Sequence, residues 1–265
     1  MNILVCVKQV PDTAEIRIDP VTNTLIRAGV PSIVNPFDAY ALEAALRLRD
    51  ANGGNVVVVS MGPDQAKSAL KVCLGMGANK AYLCSDRVFG GSDTLATSYI
   101  LSRAIKAIEE IEGRFDVIFC GKQAIDGDTA QVGPEIAEHL AYPQVTYAVE
   151  ASVSGDEIVV KREVEDGYEI IGVSCPCLIT VTKPKFEPRY PTIKGRMAAN
   201  RAVIPTLTSE NLDIDITRAG LKGSPTKVSK TFTPSVKQGG IRISEESGAD
   251  SAKRLAQALA EHGII

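Results

Sequence analysis

Phe115-Asp116-Val117-Ile118-Phe119-Cys120 runs straight into Gly121-Lys122-Gln123-Ala124-Ile125-Asp126-Gly127-Asp128-Thr129-Ala130-Gln131-Val132-Gly133-Pro134-Glu135, and a short helical pattern, Ile136-Ala137-Glu138-His139-Leu140, follows. An apolar strand, a loop of small and polar residues and a helix start form a geometry that cradles phosphate. Main-chain N–H groups face the gap, and the helix N-terminus adds partial positive charge. Gly127 and Gly133 carry no Cβ and let the backbone approach a ligand, while Pro134 suits a first helical turn. The loop is neither a Walker A sequence nor a G-x-G-x-x-G fingerprint, and an ordinary strand-to-helix connection is the alternative. Length and chemistry favour a site: such connections usually run ~2–6 residues, and this one is longer and gathers hydroxyl, amide and carboxylate groups. Asp126 and Asp128 argue against a simple anion cradle; they can hold ribose hydroxyls or cap backbone amides.

The strand before this loop has upstream counterparts. Asn2 to Gln9 is an apolar run suited to a strand buried on both faces of a parallel sheet. Residues 12–34 read as a β-hairpin excursion, with Glu15–Asp19 going out, Pro20–Asn23 turning and Thr24–Arg27 returning. Asn35-Pro36-Phe37-Asp38 is a helix start, with Asn35 able to cap and Asp38 complementing the dipole; a ligand role for both is the alternative. That helix carries Leu42, Ala45, Leu46 and Arg49 and ends at Asn52-Gly53-Gly54. Asn55 to Met61 is the second strand, and Gly62-Pro63-Asp64 opens the next helix at once. Lys80 to Ser85 is the third strand. Phe89-Gly90-Gly91-Ser92-Asp93-Thr94 introduces a helix over Leu95 to Ile111 with Ser92 as its N-cap, and the two glycines make an anion-friendly loop or simply a turn.

Strands alternating with helices predict an α/β fold: an open, mostly parallel sheet with helices on both faces, Rossmann-like or of the adenine-nucleotide α-hydrolase type, with right-handed crossovers. Ligands in such sheets bind beyond the carboxyl ends of the strands, at a switch in strand order. The candidate site is therefore composite: Cys6 to Val10, Asn35 to Asp38, Met61 to Asp64, Gly90 to Thr94 and Ala124 to Glu135. A nucleotide is its natural occupant, and no residue in the set is an obvious nucleophile, so the chemistry falls to a cofactor. After Pro143 the pattern turns β-rich and alternating, over Val145–Val153, Glu157–Glu165, Tyr168–Ser174 and Leu178–Thr182. These segments predict antiparallel strands added at the sheet edge or packed against the domain.

Composition excludes several classes. The 265 residues carry a formal charge of −3, which gives no reason to expect nucleic acid as a partner. No run approaches the ~20 apolar residues of a membrane span, and Met1–Val7 lacks the basic region and cleavage site of a signal peptide. Six cysteines without a C-x-x-C, four of them in apolar runs, suggest neither a disulfide framework nor a zinc site, and point to the cytoplasm. The two histidines, His139 and His262, read as surface residues, which leaves metal catalysis and a Ser-His-Asp hydrolase poorly supported.

Val160-Lys161-Arg162-Glu163-Val164-Glu165-Asp166-Gly167-Tyr168-Glu169, followed by Pro176-Cys177-Leu178-Ile179-Thr180, resembles the signature of the electron-transfer flavoprotein β subunit. Gly121 to Asp126 with Asp128 and Gln131 resembles it too, as do Val5-Cys6-Val7-Lys8, Asn35-Pro36-Phe37, Gly62-Pro63 and Glu187-Pro188-Arg189-Tyr190, all in family order. The resemblance covers essentially the whole chain. It implies a heterodimer with an α subunit that carries FAD, shuttling electrons between acyl-CoA dehydrogenases and another redox partner. In ordinary members the β subunit binds a structural AMP; the positions matching that site are Cys6, Asn35, Pro36, Phe37, Asp38, Met61 and Ala124 to Glu135.

Where ordinary members have a third acid after Ala-Ile-Asp, this chain has Gly127, and its Phe89–Ser98 segment resembles that of anaerobic, electron-bifurcating members. In those the resemblance implies a second FAD in the β site and a hydride donated by NADH. One electron then goes to ferredoxin or flavodoxin and one, through the α-subunit flavin, to an acyl-CoA dehydrogenase. The chain would then be a component of an NADH-dependent, ferredoxin-reducing complex. Loss of a carboxylate beside the phosphates eases a second negative charge into the site. Gly90 and Gly91, with Asp93 and Thr94, become the region of NADH approach. The competing readings are a carrier whose β subunit binds only AMP, and a nucleotide-binding regulatory module without redox work.

The organisation expected is a nucleotide-binding domain over 1–182, an arm over 183–240 and a C-terminal helix segment over 241–265. Prolines 184, 188, 191, 205, 225 and 234 interrupt regular elements in the arm, so it cannot bury a core of its own and wraps on another subunit. Ile193 resembles the apolar anchor by which the family docks on its dehydrogenase. Leu255, Ala256 and Leu259 predict an amphipathic helix over Asp250–His262, packed on the sheet or on the α subunit.

Overall fold

The computed structural model describes residues 1–12, 31–229 and 239–265. In chain order the elements are β1 (Asn2–Cys6), β2 (Gln9–Pro11), β3 (Ser32–Val34), α1 (Pro36–Asn52), β4 (Asn55–Met61), α2 (Lys67–Met76), β5 (Lys80–Cys84), α3 (Thr94–Glu112) and β6 (Val117–Gly121). There follow α4 (Val132–Leu140), β7 (Gln144–Ser154), β8 (Glu157–Val164), β9 (Gly167–Ser174), β10 (Cys177–Val181), α5 (Ile193–Arg201), β11 (Thr206–Leu207), α6 (Gly220–Gly223) and α7 (Gly248–Glu261). A nine-stranded sheet has the order β11-β5-β4-β1-β6-β10-β7-β8-β9. It is parallel from β11 to β7 and ends in the antiparallel meander β7-β8-β9. The expected α/β fold is observed, with the order reversing at β1.

Strand β1 shows why both faces need helices. Ile3 and Val5 enter one core layer with Leu42 and Leu46 of α1 and Leu70 of α2. Leu4 and Cys6 enter the other with Ile100 and Ile105 of α3 and Ile136 of α4. Leu42, Leu46, Ile100 and Ile105 are fully buried, and each such side chain contributes roughly 1.5–3 kcal/mol of transfer free energy. Among the described residues no helix is long and apolar enough to cross a membrane.

Four expectations are corrected. The first strand ends at Cys6; Gln9–Pro11 leaves the sheet and pairs antiparallel with Ser32–Val34. Hydrogen bonds divert it: Lys8 N–H donates to Asp38 Oδ2 at 2.7 Å, and Asn35 N–H donates to Lys8 O at 2.9 Å. The remainder of the expected hairpin, including Glu15–Arg27, lies outside the described residues. Second, Cys177–Val181 is not an antiparallel edge strand. It inserts parallel between β6 and β7, buried throughout, which is the place for a strand with two apolar faces.

Third, the arm does bury part of itself. α5 packs on α2, with Gly195 against the Gly75 carbonyl, β11 extends the sheet beside β5, and Leu207, Leu212 and Ala219 join the core. Arg189 anchors its start, donating to buried Glu43 from Nε at 2.8 Å and Nη2 at 3.1 Å. Pro234 lies outside the described residues. Fourth, of the two places expected for α7 the sheet is not used: of its residues only Ala258 is buried, and Leu255 is exposed.

Candidate functional site

The carboxyl ends of β1, β4, β5 and β6 open on one edge of the sheet, and two buried residues of one turn organise it. Asp38, in the first turn of α1, accepts Lys8 N–H on one carboxylate oxygen and Gly121 N–H on the other, at 2.7 and 3.1 Å. It thereby clasps β1 to β6 at the reversal of strand order. Burial pushes its carboxyl up to about 7, against the opposing pull of the Lys8 amide, the Asn35 side chain and the Gly121 amide. Asn35 makes no cap hydrogen bond. Its amide instead donates to Gln123 O at 2.8 Å and accepts Ile125 N–H at 3.1 Å, pinning the loop after β6 as a neighbouring strand would. Capping by the Asn35 side chain is thus replaced by loop positioning.

Beyond Ile125 the loop tightens. Ala124 and Gly127 form an isolated antiparallel bridge, Thr129 N–H donates to Gly127 O at 2.9 Å, and Gln123 Nε2 donates to Asp128 Oδ1 at 3.1 Å. Ala130 is left-handed at φ 54°, a conformation costly for a residue with a Cβ and concentrated at functional sites. α4 then starts at Val132, four residues before the expected pattern, and Gln131 at its N-cap makes no side-chain cap hydrogen bond. Its first amides are therefore the kind an anion satisfies. Pro134 falls in the first turn. Gly127 is exposed, and a Cβ there would meet nothing within 4 Å. Gly133 also has a packing reason to lack a side chain, since a Cβ would lie 2.7 Å from Thr180 Cγ2.

Lys8, inside the expected Cys6–Val10 segment, reaches across the opening. Its Nζ lies 2.6 Å from Asp126 Oδ1. With Met61, Gly62, Pro63 and Gln65 the pair lines a cavity of about 80 Å³, well below the ~300 Å³ of ordinary small-ligand pockets. A nucleotide here requires the Lys8 side chain to swing away, and that lysine is 49% exposed and able to do so. Cys6 and Cys120 stand opposite each other in register at the base of the site. Their thiols share a hydrogen bond that, with burial, holds Cys120 well above the usual thiol range. Phe37 is half-buried and Pro36 exposed.

The glycine loop before α3 lies beside this site without joining its cavity. Asp93, not Ser92, caps α3, accepting Ala96 N–H at 3.0 Å. Ser92 Oγ donates instead to Phe89 O at 2.8 Å. Thr94 connects the two regions, its hydroxyl 3.0 Å from Gln131 Oε1 and 3.3 Å from Glu135 Oε1. Glu135 Oε2 and His139 Nε2 are buried and have no hydrogen-bond partner among the described residues. His139 is half-buried rather than fully at the surface: its ring packs edge-on to Tyr99 at 5.8 Å, and burial together with nearby Arg218 lowers its pKa. Ile193 is 82% exposed at the first position of α5. Its helix is capped by Thr192 Oγ1, which accepts Gly195 N–H at 2.9 Å.

The electron transfer flavoprotein domain family matches residues 22–212. The electron transfer flavoprotein subunit beta of Megasphaera elsdenii is 55% identical over 255 residues, covering 95% of this chain and 94% of that one. The counterpart of the same name in Clostridium acetobutylicum is 50% identical over 264 residues, covering both chains fully. The CarD subunit of the caffeyl-CoA reductase–Etf complex of Acetobacterium woodii is 48% identical over 266 residues, again covering both fully. A domain match across most of the sheet and relatives matched end to end place this chain in the electron transfer flavoprotein family, among its β subunits.

Proposed function

We propose that this β subunit binds the ADP part of an FAD at the loop 124–135 and, paired with an FAD-carrying α subunit, takes hydride equivalents from NADH. Electrons are divided between ferredoxin or flavodoxin and, through the α subunit, an acyl-CoA dehydrogenase, in the cytoplasm. The observation that carries the reading is the start of α4: amides without a side-chain cap, preceded by left-handed Ala130 and a loop held from beneath by Asn35. These residues fit a diphosphate. The α4 amides would take phosphate oxygens, Asp126 or Asp128 ribose hydroxyls, and Lys8, released from Asp126, would offset phosphate charge. Asn35 and Asp38 keep the loop and the strand ends in place. Bound FAD supplies an acceptor of two electrons that can pass them on singly. The name of the Acetobacterium relative, a subunit of a caffeyl-CoA reductase complex, agrees with an acyl-CoA dehydrogenase-type partner. Exposed Ile193 is the docking residue of the arm.

A second reading, structural AMP with no flavin in this subunit, draws on one observation: Leu221 lies over Gly91, so the glycine loop is covered. The test is the cofactor content of the heterodimer. Two FAD and no AMP per heterodimer supports the first reading, with NADH-dependent ferredoxin reduction as the next assay; one FAD with one AMP overturns it in favour of the second.

A further inference from the structure

The stretch 219–226 is fastened across the start of α3. Gly220 N–H donates to Ser92 Oγ at 3.1 Å, Asp93 N–H donates to Ser224 Oγ at 2.9 Å, and Thr226 N–H donates to Asp93 Oδ2 at 2.9 Å. Ser224 is buried, its hydroxyl donating to Gly220 O at 2.7 Å. Just upstream, the Arg218 guanidinium lies 3.9 Å above the Tyr99 ring, and Asp215 N–H donates to Tyr99 Oη at 2.9 Å. Leu221 covers Gly91, which sits at φ +74°; a Cβ there would come within 2.7 Å of Leu221 Cγ, so glycine is required both by conformation and by this contact.

Asp93 is shared between two structures. Its Oδ1 fixes the first turn of α3 through Ala96 N–H, and its Oδ2 holds Thr226. Both oxygens thus accept protein amides. The next residue, Thr94, reaches Gln131 and Glu135 at the start of α4. The Asp93 carboxylate therefore stands between the arm and the nucleotide loop.

We propose that residues 219–226 are a strap whose docking on α3 and nucleotide occupancy of the 124–135 loop stabilise each other, with Asp93 as the positioning residue between them. This rests on the nucleotide-binding reading above. When the strap is docked, the Asp93 rotamer is fixed, Thr94 is held, and Gln131 and Glu135 are kept at the start of α4. When a nucleotide orders the α4 start, Thr94 and Asp93 are already in place for Thr226. The two events share one ordering cost, and the coupling is reciprocal. The arm thereby reports to partner-facing parts of the molecule whether the site is filled.

The test uses the full chain purified with its α partner and depleted of nucleotide. AMP binding is measured by calorimetry and hydrogen exchange by mass spectrometry on peptides spanning 219–227. AMP should slow exchange there severalfold or more. In Asp93→Asn the side-chain carbonyl still accepts Ala96 N–H, and Asn remains a good N-cap, but the amide nitrogen faces Thr226 N–H and cannot accept it. Asp93→Asn should bind AMP about 5- to 10-fold more weakly, and its strap exchange should no longer respond to AMP. Ser224→Ala, which leaves the α3 cap intact, should shift both readouts in the same direction. AMP bound with unchanged strap exchange, or variants that respond like the wild type, overturns the strap alone. Failure of the wild type to bind either AMP or FAD overturns the nucleotide reading and this inference with it.

Discussion

Asp38 and Gly121 meet over the top of the sheet: the Gly121 amide donates to Asp38 Oδ1 at 3.1 Å, and a Cβ on Gly121 would fall 2.3 Å from that same oxygen. With Lys8 on its other oxygen, Asp38 is a clasp between two parallel strands rather than a helix cap. Its carboxyl, pushed up to about 7 by burial, binds its proton more tightly in the folded chain than in the unfolded one, where the ordinary value is 3.8. The stability this gives is therefore complete below about 4 and is lost as pH rises through about 7. Asp38→Asn should cost about 1–3 kcal/mol at pH 5, because its NH2 faces a buried backbone N–H. The gap to wild type should narrow by pH 8. Urea unfolding of both proteins at the two pH values measures it; a gap that widens with pH contradicts the assignment.

Asn35→Ala should loosen the loop without unfolding the sheet. Its side chain bonds Gln123 and Ile125 and also acts on the Asp38 carboxyl, so most of the loss falls on loop position. Nucleotide affinity should drop roughly tenfold, equivalent to about 1.4 kcal/mol. Calorimetric titration with AMP reads this directly, and an unchanged Kd would show that the loop holds itself.

Gly127→Glu should fold normally, since the position is exposed and open. On the proposed nucleotide reading it would set a carboxylate beside the phosphates, where like charges oppose the extra phosphate of FAD. Flavin content of the purified heterodimer should fall, with AMP retained. Unchanged flavin content would remove Gly127 as a determinant.

Lys8→Ala should leave stability within about 1 kcal/mol, because a half-exposed ion pair contributes little. Its effect should appear in nucleotide binding, as a weaker affinity and a shallower dependence on salt. If neither changes, Lys8 stays on Asp126 when the nucleotide binds.

Ile193→Asp should not alter the thermal midpoint by more than the equivalent of about 0.5 kcal/mol, given its exposure. Electron delivery to the dehydrogenase should collapse while reduction by NADH persists. Equal loss in both assays would place the defect in the β subunit itself.

Much of this was legible in the chain. Apolar runs at Asn2, Asn55, Lys80 and Phe115, separated by helical patterns, specify the parallel half of the sheet because each must be buried on two faces. The Ala124–Glu135 loop stood out by length. What escaped was decided by neighbours distant in sequence. Asn35 looks the same before a helix whether it caps or reaches 88 residues forward to Gln123. Ser92 and Asp93 are both good caps, and the arm decides between them by taking Ser92 Oγ for Gly220. Cys177–Val181 carries no periodicity that separates an edge strand from an inserted one. Lys8 lay inside the expected Cys6–Val10 segment, but its partner Asp126 is 118 residues away in the chain.

The insertion of β10 also sets an order of events during synthesis. Lys122 N–H, at the root of the nucleotide loop, donates to Val181 O at 2.8 Å, so the strand that flanks the loop leaves the ribosome some sixty residues after it. Until β10 arrives, β6 is an open sheet edge and the loop is held only from the side of Asn35 and Asp38. The loop after β6 thus gains its full set of supports only in chains already translated through the signature segment.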